Sequence, residues 1–524
     1  MPGVTCRAAV LAAGLLAAAL PLAAQTLPVQ DATLQRIWAL GMDSSTTWSL
    51  AQTLTDSIGP RLNGSPGHKA GNDWLVAMYG KWGIEARNEQ YGTWRGWDRG
   101  VTHLDLVRPR VRSLEAMLLA WSAGTRGRNV EAGMVALHDG ADSAAFRAWL
   151  PSVRGKFVLA SMPQTTCRAD ANIKEFATPE LYEKITSERQ AERTAWAERM
   201  RKTGLNTAAM HDAIAAAGAR GILTSNWSNG WGVQKIFGTR VSEVPVVDVS
   251  CEDYGLLWRL TERNQGPVVR LRADARALGE VPVFNTIATI PGTEKPEEFV
   301  MLSAHFDSWD GSSGATDNAT GTVTMLEAMR ILREVYPRPK RTILVGHWGG
   351  EEQGLNGSRA FMADHPEIVR GLQALFNQDN GTGRVTTISM SGFVNAGGHF
   401  GRWLARIPTE IARHIDLSTP GNPPGGGSDM ASVVCHGAPG FSLSSISWDY
   451  GTYTWHTNRD TFDKIVFDEI RNNATLTAML AYLASEDPEL VPRDRRIMPP
   501  GRDGQQSVWP SCPTPARAST ESTR

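Results

Sequence analysis

SAHFDSWDGSSGATDNATG, residues 303–321, is the stretch on which the reading of this chain turns. It follows the apolar run EEFVMLSA and places His305, Asp307 and Asp317 in a loop of small residues. Overlapping its end is ATGTVTMLEAMRILREV, where Val323, Leu326, Met329 and Val335 predict a helix with one apolar side. Strand, loop and helix in that order point to an α/β sheet. Two further apolar strands keep the same phase: KRTILVGHW runs into GGEEQGLNGS, and LQALFNQ ends at Asp379. Three successive strands thus finish in a potential ligand or acid, and open α/β sheets bind their ligands beyond the carboxyl ends of strands.

Taken singly, each residue has an ordinary structural explanation. A histidine after a strand is more often packed than ligating, Asp317 and Asp379 suit turns, and His456 in YTWHTNRDTFDKI suits a local cap. Glu351 and Glu352 are adjacent like charges, a placement that costs repulsion unless a cation or a shared proton compensates. Asp307, two residues after His305, is placed to accept the other ring N–H and fix the tautomer. The joint occurrence of these residues argues for a metal site. His347, His365 and His436 share no such pattern and are expected to be structural. Sequons at Asn318, Asn356 and Asn380 adjoin the candidate ligands, where a glycan would obstruct the site, so they read as coincidences.

Working outward, 524 residues exceed one ordinary core and imply two folded units with terminal extensions. A net charge of −1 offers no electrostatic reason to expect nucleic acid or an anionic membrane as partner. Arg7 followed by AAVLAAGLLAAALPLAAQ reads as a signal peptide cut near Ala24, which predicts a secreted or periplasmic protein without stable membrane insertion. Cys167, Cys251, Cys435 and Cys512 would remain, and their spacing leaves the pairing open. With no CxxC, a thiolate zinc site is not expected. Helical spacing on both sides of IGPRLNGSPG predicts two N-terminal helices within residues 25–115. From about Asn129, short strands such as GMVAL, GKFVLASM, RGILTSN and VPVVDVS predict a small separate unit, with ELYEKITSERQAERTAWAERMRKTG as a solvated helical excursion. The main α/β unit then occupies 281–487, and the Pro- and Ser-rich residues 488–524 are expected to be extended or disordered, with Trp509 and Cys512 able to tack them down.

SAHFDSWDGSSGATDNATG, GGEEQGLNGS, FNQDNGTG and WHTNRDTFDKI together resemble the zinc exopeptidases of the M28 aminopeptidase family. GGGSDMASVVCHGAPGFSLSS is similar to the carboxypeptidase Q-like subgroup, although Met430 stands where many family members have a histidine. The inserted region, residues 116–280, resembles a protease-associated (PA) domain through VRGKFVLAS, AIAAAGARGILTSN and VPVVDVSCEDYGLLWRL. The resemblance implies a mixed-sheet α/β/α zinc-peptidase domain of the phosphorylase/hydrolase type, interrupted by a β-rich PA domain. It also implies two Zn2+, one on His305 and Asp379 and the other on Glu352 and His456, with Asp317 bridging. Glu351 would then be general base, with Asp307 in the catalytic set behind His305. Two dications would activate a bridging water, Glu351 would take its proton, and the hydroxide would attack the N-terminal peptide bond of a short peptide or dipeptide. Asp429 and Tyr450 are candidates for the pocket wall, and the insert for a lid, a docking surface or a homodimer contact. The rivals are a glutaminyl-cyclase-like acyltransferase and a non-catalytic receptor-like protein on the same scaffold. The complete set of ligands and base favours hydrolysis.

Overall fold

The computed structural model describes residues 30–501 and 504–521, so the expected signal peptide, 1–24, lies outside the described residues. Its centre is a parallel group of strands in the order Arg341–Trp348, Lys295–His305, Leu372–Asn377 and Gly440–Ser445. Alternation along the strands sorts the core into two layers. Val300, Leu302 and Ala304 face the helices Thr320–Val335 and Phe467–Glu486, whereas Met301 packs on the opposite side with Leu344, Leu375 and Phe361. Removing Leu302 down to alanine would cost about 2–5 kcal/mol, the usual range for a fully buried leucine.

The helix Thr320–Val335 departs from the one-sided pattern read in its sequence: residues from Thr320 to Met329 are buried all round. The helices Ala32–Trp38, Thr47–Gln52 and Phe467–Glu486 cover the side turned away from the sheet. Even Glu327 on that side is buried, where it accepts from Thr46 N and Oγ1 and pairs with Arg330.

Two long strands tie the molecule together. Glu85–Arg108 runs antiparallel to Val268–Ile290, which pairs with Arg341–Trp348 near its C-terminal end and with Val130–Ala136 near its N-terminal end. Position 280 therefore lies inside a continuous strand. Beyond it, Val130–Ala136, Phe157–Leu159, Gly221–Thr224 and Val246–Val249 form a second parallel group. The expected β-rich character is not what this segment shows. Helices Ser143–Trp149, Pro179–Thr203, Thr207–Ala216 and Cys251–Glu262 contribute more residues than its strands, because parallel strands require long crossovers.

The disulfides are Cys167–Cys251 and Cys435–Cys512. The second pins the C-terminal segment, which also donates from Trp509 Nε1 to Val434 O at 2.8 Å and accepts Thr93 N–H on Arg517 O at 2.8 Å. The segment is thus extended, and it is fastened to the body. Among the described residues no helix is long and apolar enough to cross a membrane.

Candidate metal centre

The parallel strands end on one edge of the sheet, and the side chains just beyond them converge. His305 is the last residue of its strand, and its Nε2 lies 3.2 Å from Asp317 Oδ1 and 3.1 Å from Asp379 Oδ1. On the other side of Asp317, Oδ2 lies 3.1 Å from His456 Nε2, which is itself 2.8 Å from Glu352 Oε2. The result is two clusters, His305–Asp317–Asp379 and Asp317–Glu352–His456, each with ligand atoms within 4.8 Å of one another. Asp317 belongs to both and turns one oxygen to each histidine. Glu351 belongs to neither, yet it lines the same cavity of about 230 Å3 together with Trp455 and the Gly425–Gly427 loop.

The donor set fits hard or borderline divalent cations. Asp317 Oδ2, Glu352 Oε1 and His456 Nδ1 are buried without a hydrogen bond, so the cluster is unsatisfied by protein alone. Its charges point the same way. Burial, with Asp317 close by, pushes Glu352 up to about 7, and burial with Asp379 and Asp429 alongside pushes Glu351 well above the carboxylate range despite the pull of His305. Carboxylates packed this tightly ionise together only against added positive charge.

Local packing holds each group in place. His305 Nδ1 meets the main-chain carbonyl of Asp307 at 2.9 Å, which leaves Nε2 as the lone pair facing the cluster. The Asp307 carboxylate, expected on that ring, is 3.7 Å away and instead accepts Glu351 N–H and Glu352 N–H at 3.1 and 3.3 Å. It therefore aligns the acidic pair and reaches His305 only through its backbone. His456 has a left-handed backbone, φ 59°, a conformation disfavoured for a residue with a Cβ. A strap from the 116–280 segment holds it there: Ile236 N–H donates to His456 O at 2.8 Å, and Gln234 exchanges main-chain and side-chain bonds with Asn458.

Two contributors escape a reading of the sequence. Arg61, wholly buried, donates to Gly59 O, Phe306 O, Ser313 O and Gly314 O and so closes the loop that carries Asp317. Asp460 accepts Thr316 N–H at 2.7 Å and Asp317 N–H at 2.9 Å, and burial pushes its carboxyl up to about 7. Both stand inside the motifs IGPRLNGSPG and WHTNRDTFDKI, but an arginine or aspartate in a loop carries no mark of burial. Asp429 is buried with neither oxygen bonded and is absent from the cavity wall, while Tyr450 lines a neighbouring cleft. His347 is buried against Tyr79 Oη at 2.7 Å, and His365 sits between Glu89 and Glu367, both away from the centre. The side-chain amides of Asn318, Asn356 and Asn380 each donate to a main-chain carbonyl.

Comparison with known proteins points to peptidases. Residues 285–481 match peptidase family M28. Mouse carboxypeptidase Q is 26% identical over 442 residues, covering 84% of this chain and 86% of its own. Among solved structures, a peptidase M28 precursor from Shewanella amazonensis SB2B superposes with a TM-score of 0.63 at 23% identity, covering 88% of this chain and 98% of its own. A zinc aminopeptidase from Bacillus subtilis superposes at 0.52 and 19%, covering 83% and 93%. The mixed sheet with its flanking helices is the fold these structures share. The chain is similar to peptidase family M28 over residues 285–481, which identifies a metallo-exopeptidase.

Proposed function

We propose that the protein is a secreted or periplasmic dinuclear zinc exopeptidase that releases the N-terminal residue of short peptides or splits dipeptides. The observation that carries this reading is the pair of three-residue clusters sharing Asp317. His305 and Asp379 would hold one zinc, Glu352 and His456 the other, and Asp317 both. When bound, the two ions supply an activated water and a polarised carbonyl at neutral pH. The chain supplies the rest. Glu351, facing the cavity and fixed through its N–H by Asp307, takes the proton from the attacking water. It then delivers that proton to the amine nitrogen as the C–N bond breaks, which regenerates the carboxylate. Arg61 and Asp460 hold the Asp317 loop, and the Gln234–Ile236 strap holds His456, so that these groups need not reorganise during turnover.

Residues 25–115 and 281–487 would form the peptidase domain, and 116–280 a PA-like insert that takes part in the site through its strap. That insert is also the candidate surface for a homodimer. The leader over residues 1–24 supports export. The test is zinc content measured with hydrolysis of aminoacyl p-nitroanilides and dipeptides, for wild type and Glu351→Gln. The reading expects about two zincs in both proteins and a 10²–10⁴-fold lower kcat in the variant, the usual worth of a general base. Full turnover by the variant would refute Glu351 as base, and an inactive zinc-loaded wild type would refute the peptidase reading.

A further inference from the structure

A second cleft, of about 550 Å3, opens beside the metal centre and shares Glu352 with it. Its wall is continuous with the centre: the Trp309 ring lies 6.2 Å from His456 and 5.8 Å from Trp121. At the far end Arg95 stacks on Trp121, with its guanidinium 4.2 Å from the ring centroid, and Arg240 adjoins it. Burial and the neighbouring Arg240 charge lower Arg95 to about 10, against the weaker pull of Glu280, so it remains cationic at neutral pH. Arg95 gives one N–H to Thr239 O at 3.1 Å. Among the described residues neither arginine forms a salt bridge, although two like charges side by side favour an anion between them.

The neutral groups of the same cleft are also open. Trp94 Nε1, Trp309 Nε1 and both amide atoms of Gln353 are buried without a hydrogen-bond partner. Trp94 is 2% exposed and Gln353 9%. Buried polar atoms are normally satisfied, and an indole N–H can only donate. Trp94, Trp309, Gln353 and the two arginines thus line one space, with Glu352 at its metal end, and the arginine end is the complement of a carboxylate on an apolar stem.

We propose that this cleft receives the free α-carboxylate of a short peptide substrate, with Arg95 and Arg240 supplying the charge. The proposal rests on the peptidase reading and narrows its substrate class. Cleavage occurs at the N-terminal bond, so the leaving part of the peptide extends from the metal centre along Trp309 and Trp121 toward the arginines. Ring-to-ring steps of this size, at about 3.3–3.6 Å of extended chain per residue, limit that part to about five residues. Longer chains would have to leave their carboxylate outside.

The test is equilibrium binding, by calorimetry on zinc-loaded full-length Glu351→Gln protein, of hexaalanine, hexaalanine amide and the amide of pentaalanylglutamate, whose about five residues beyond the first span the distance to the arginines. The free acid is expected to bind about tenfold or more tightly than the amide, as a charge-assisted contact requires. Arg240→Gln, a change at an exposed side chain, should bring that ratio close to one, and Arg240→Lys should restore most of it. Equal binding of acid and amide by the unsubstituted arginines would overturn the proposal. So would the amide of pentaalanylglutamate binding as tightly as the free acid, because a side-chain carboxylate would then be the ligand. Hydrolysis of aminoacyl p-nitroanilides, which carry no carboxylate, by the zinc-loaded wild type judges the peptidase reading separately. Loss of that hydrolysis with the acid preference intact sinks the peptidase reading alone, and the converse sinks the cleft alone.

Discussion

The molecule contains two parallel groups of strands joined through Val268–Ile290, and both bury a carboxylate beside their strand ends. In the 116–280 segment Asp248 is 1% exposed and accepts from Thr224 Oγ1, Asn226 N–H and Gln234 Nε2. In the main sheet Glu352 and Asp317 are as deeply placed, yet each keeps an oxygen with no donor. Burial pushes Asp248 and Glu352 alike to about 7, so neither depth nor acidity separates the two places. What separates them is satisfaction. Asp248 has its donors within the protein, and the Asp317 clusters leave buried atoms unpartnered for the cations proposed above.

The largest effect should follow from breaking the shared ligand. Asp317→Ala is expected to lose both metals and to lower kcat/KM beyond the about 100-fold that outer partners of a metal site command. Inductively coupled plasma analysis alongside kinetics checks this, and a variant retaining both metals would contradict it. Next come the groups that hold the ligands without belonging to them. Asp307→Asn or Asp460→Asn should weaken zinc binding about 10–100-fold, read from chelator competition. An unchanged affinity would mean that their hydrogen bonds to the backbone do not set the ligand geometry.

Asp248 supplies the opposite arm. Asp248→Asn should leave zinc affinity unchanged and cost stability by about 1–3 kcal/mol through its disrupted hydrogen bonds. Because the folded protein holds this proton up to about pH 7, its contribution is full below the unfolded value of 3.8 and is lost as pH rises through 7. The wild type should therefore lose stability relative to Asp248→Asn between about pH 4 and 7 in denaturant titrations, with no further change above that range. A flat difference would remove the assigned ionisation. The smallest effect belongs to the surface: Lys184→Ala breaks an exposed i,i+4 pair with Glu188 and should shift stability by less than about 0.5 kcal/mol.

Legibility in the sequence followed the same division. His305, Glu352 and Asp379 could be read because each follows an apolar strand, and a parallel sheet turns that local phase into a shared edge. His456 follows no such strand and was legible only through the resemblance of its whole motif. The cysteine pairing, the burial of Arg61, the Gln234–Ile236 strap and the Arg95–Arg240 cleft join segments far apart in the chain. Periodicity says nothing about which of them meet. The helix Thr320–Val335 shows the same limit, since its outer face is polar enough to suggest solvent and is covered by helices from both ends of the chain.

The central claim is that one aspartate joins two metal positions. Zinc titration of metal-free wild type and Asp317→Ala, followed by calorimetry, tests it most directly. Two equivalents bound by the wild type and a loss at both positions in the variant are predicted. A wild type that saturates at one equivalent, or a variant that still binds two, would contradict it.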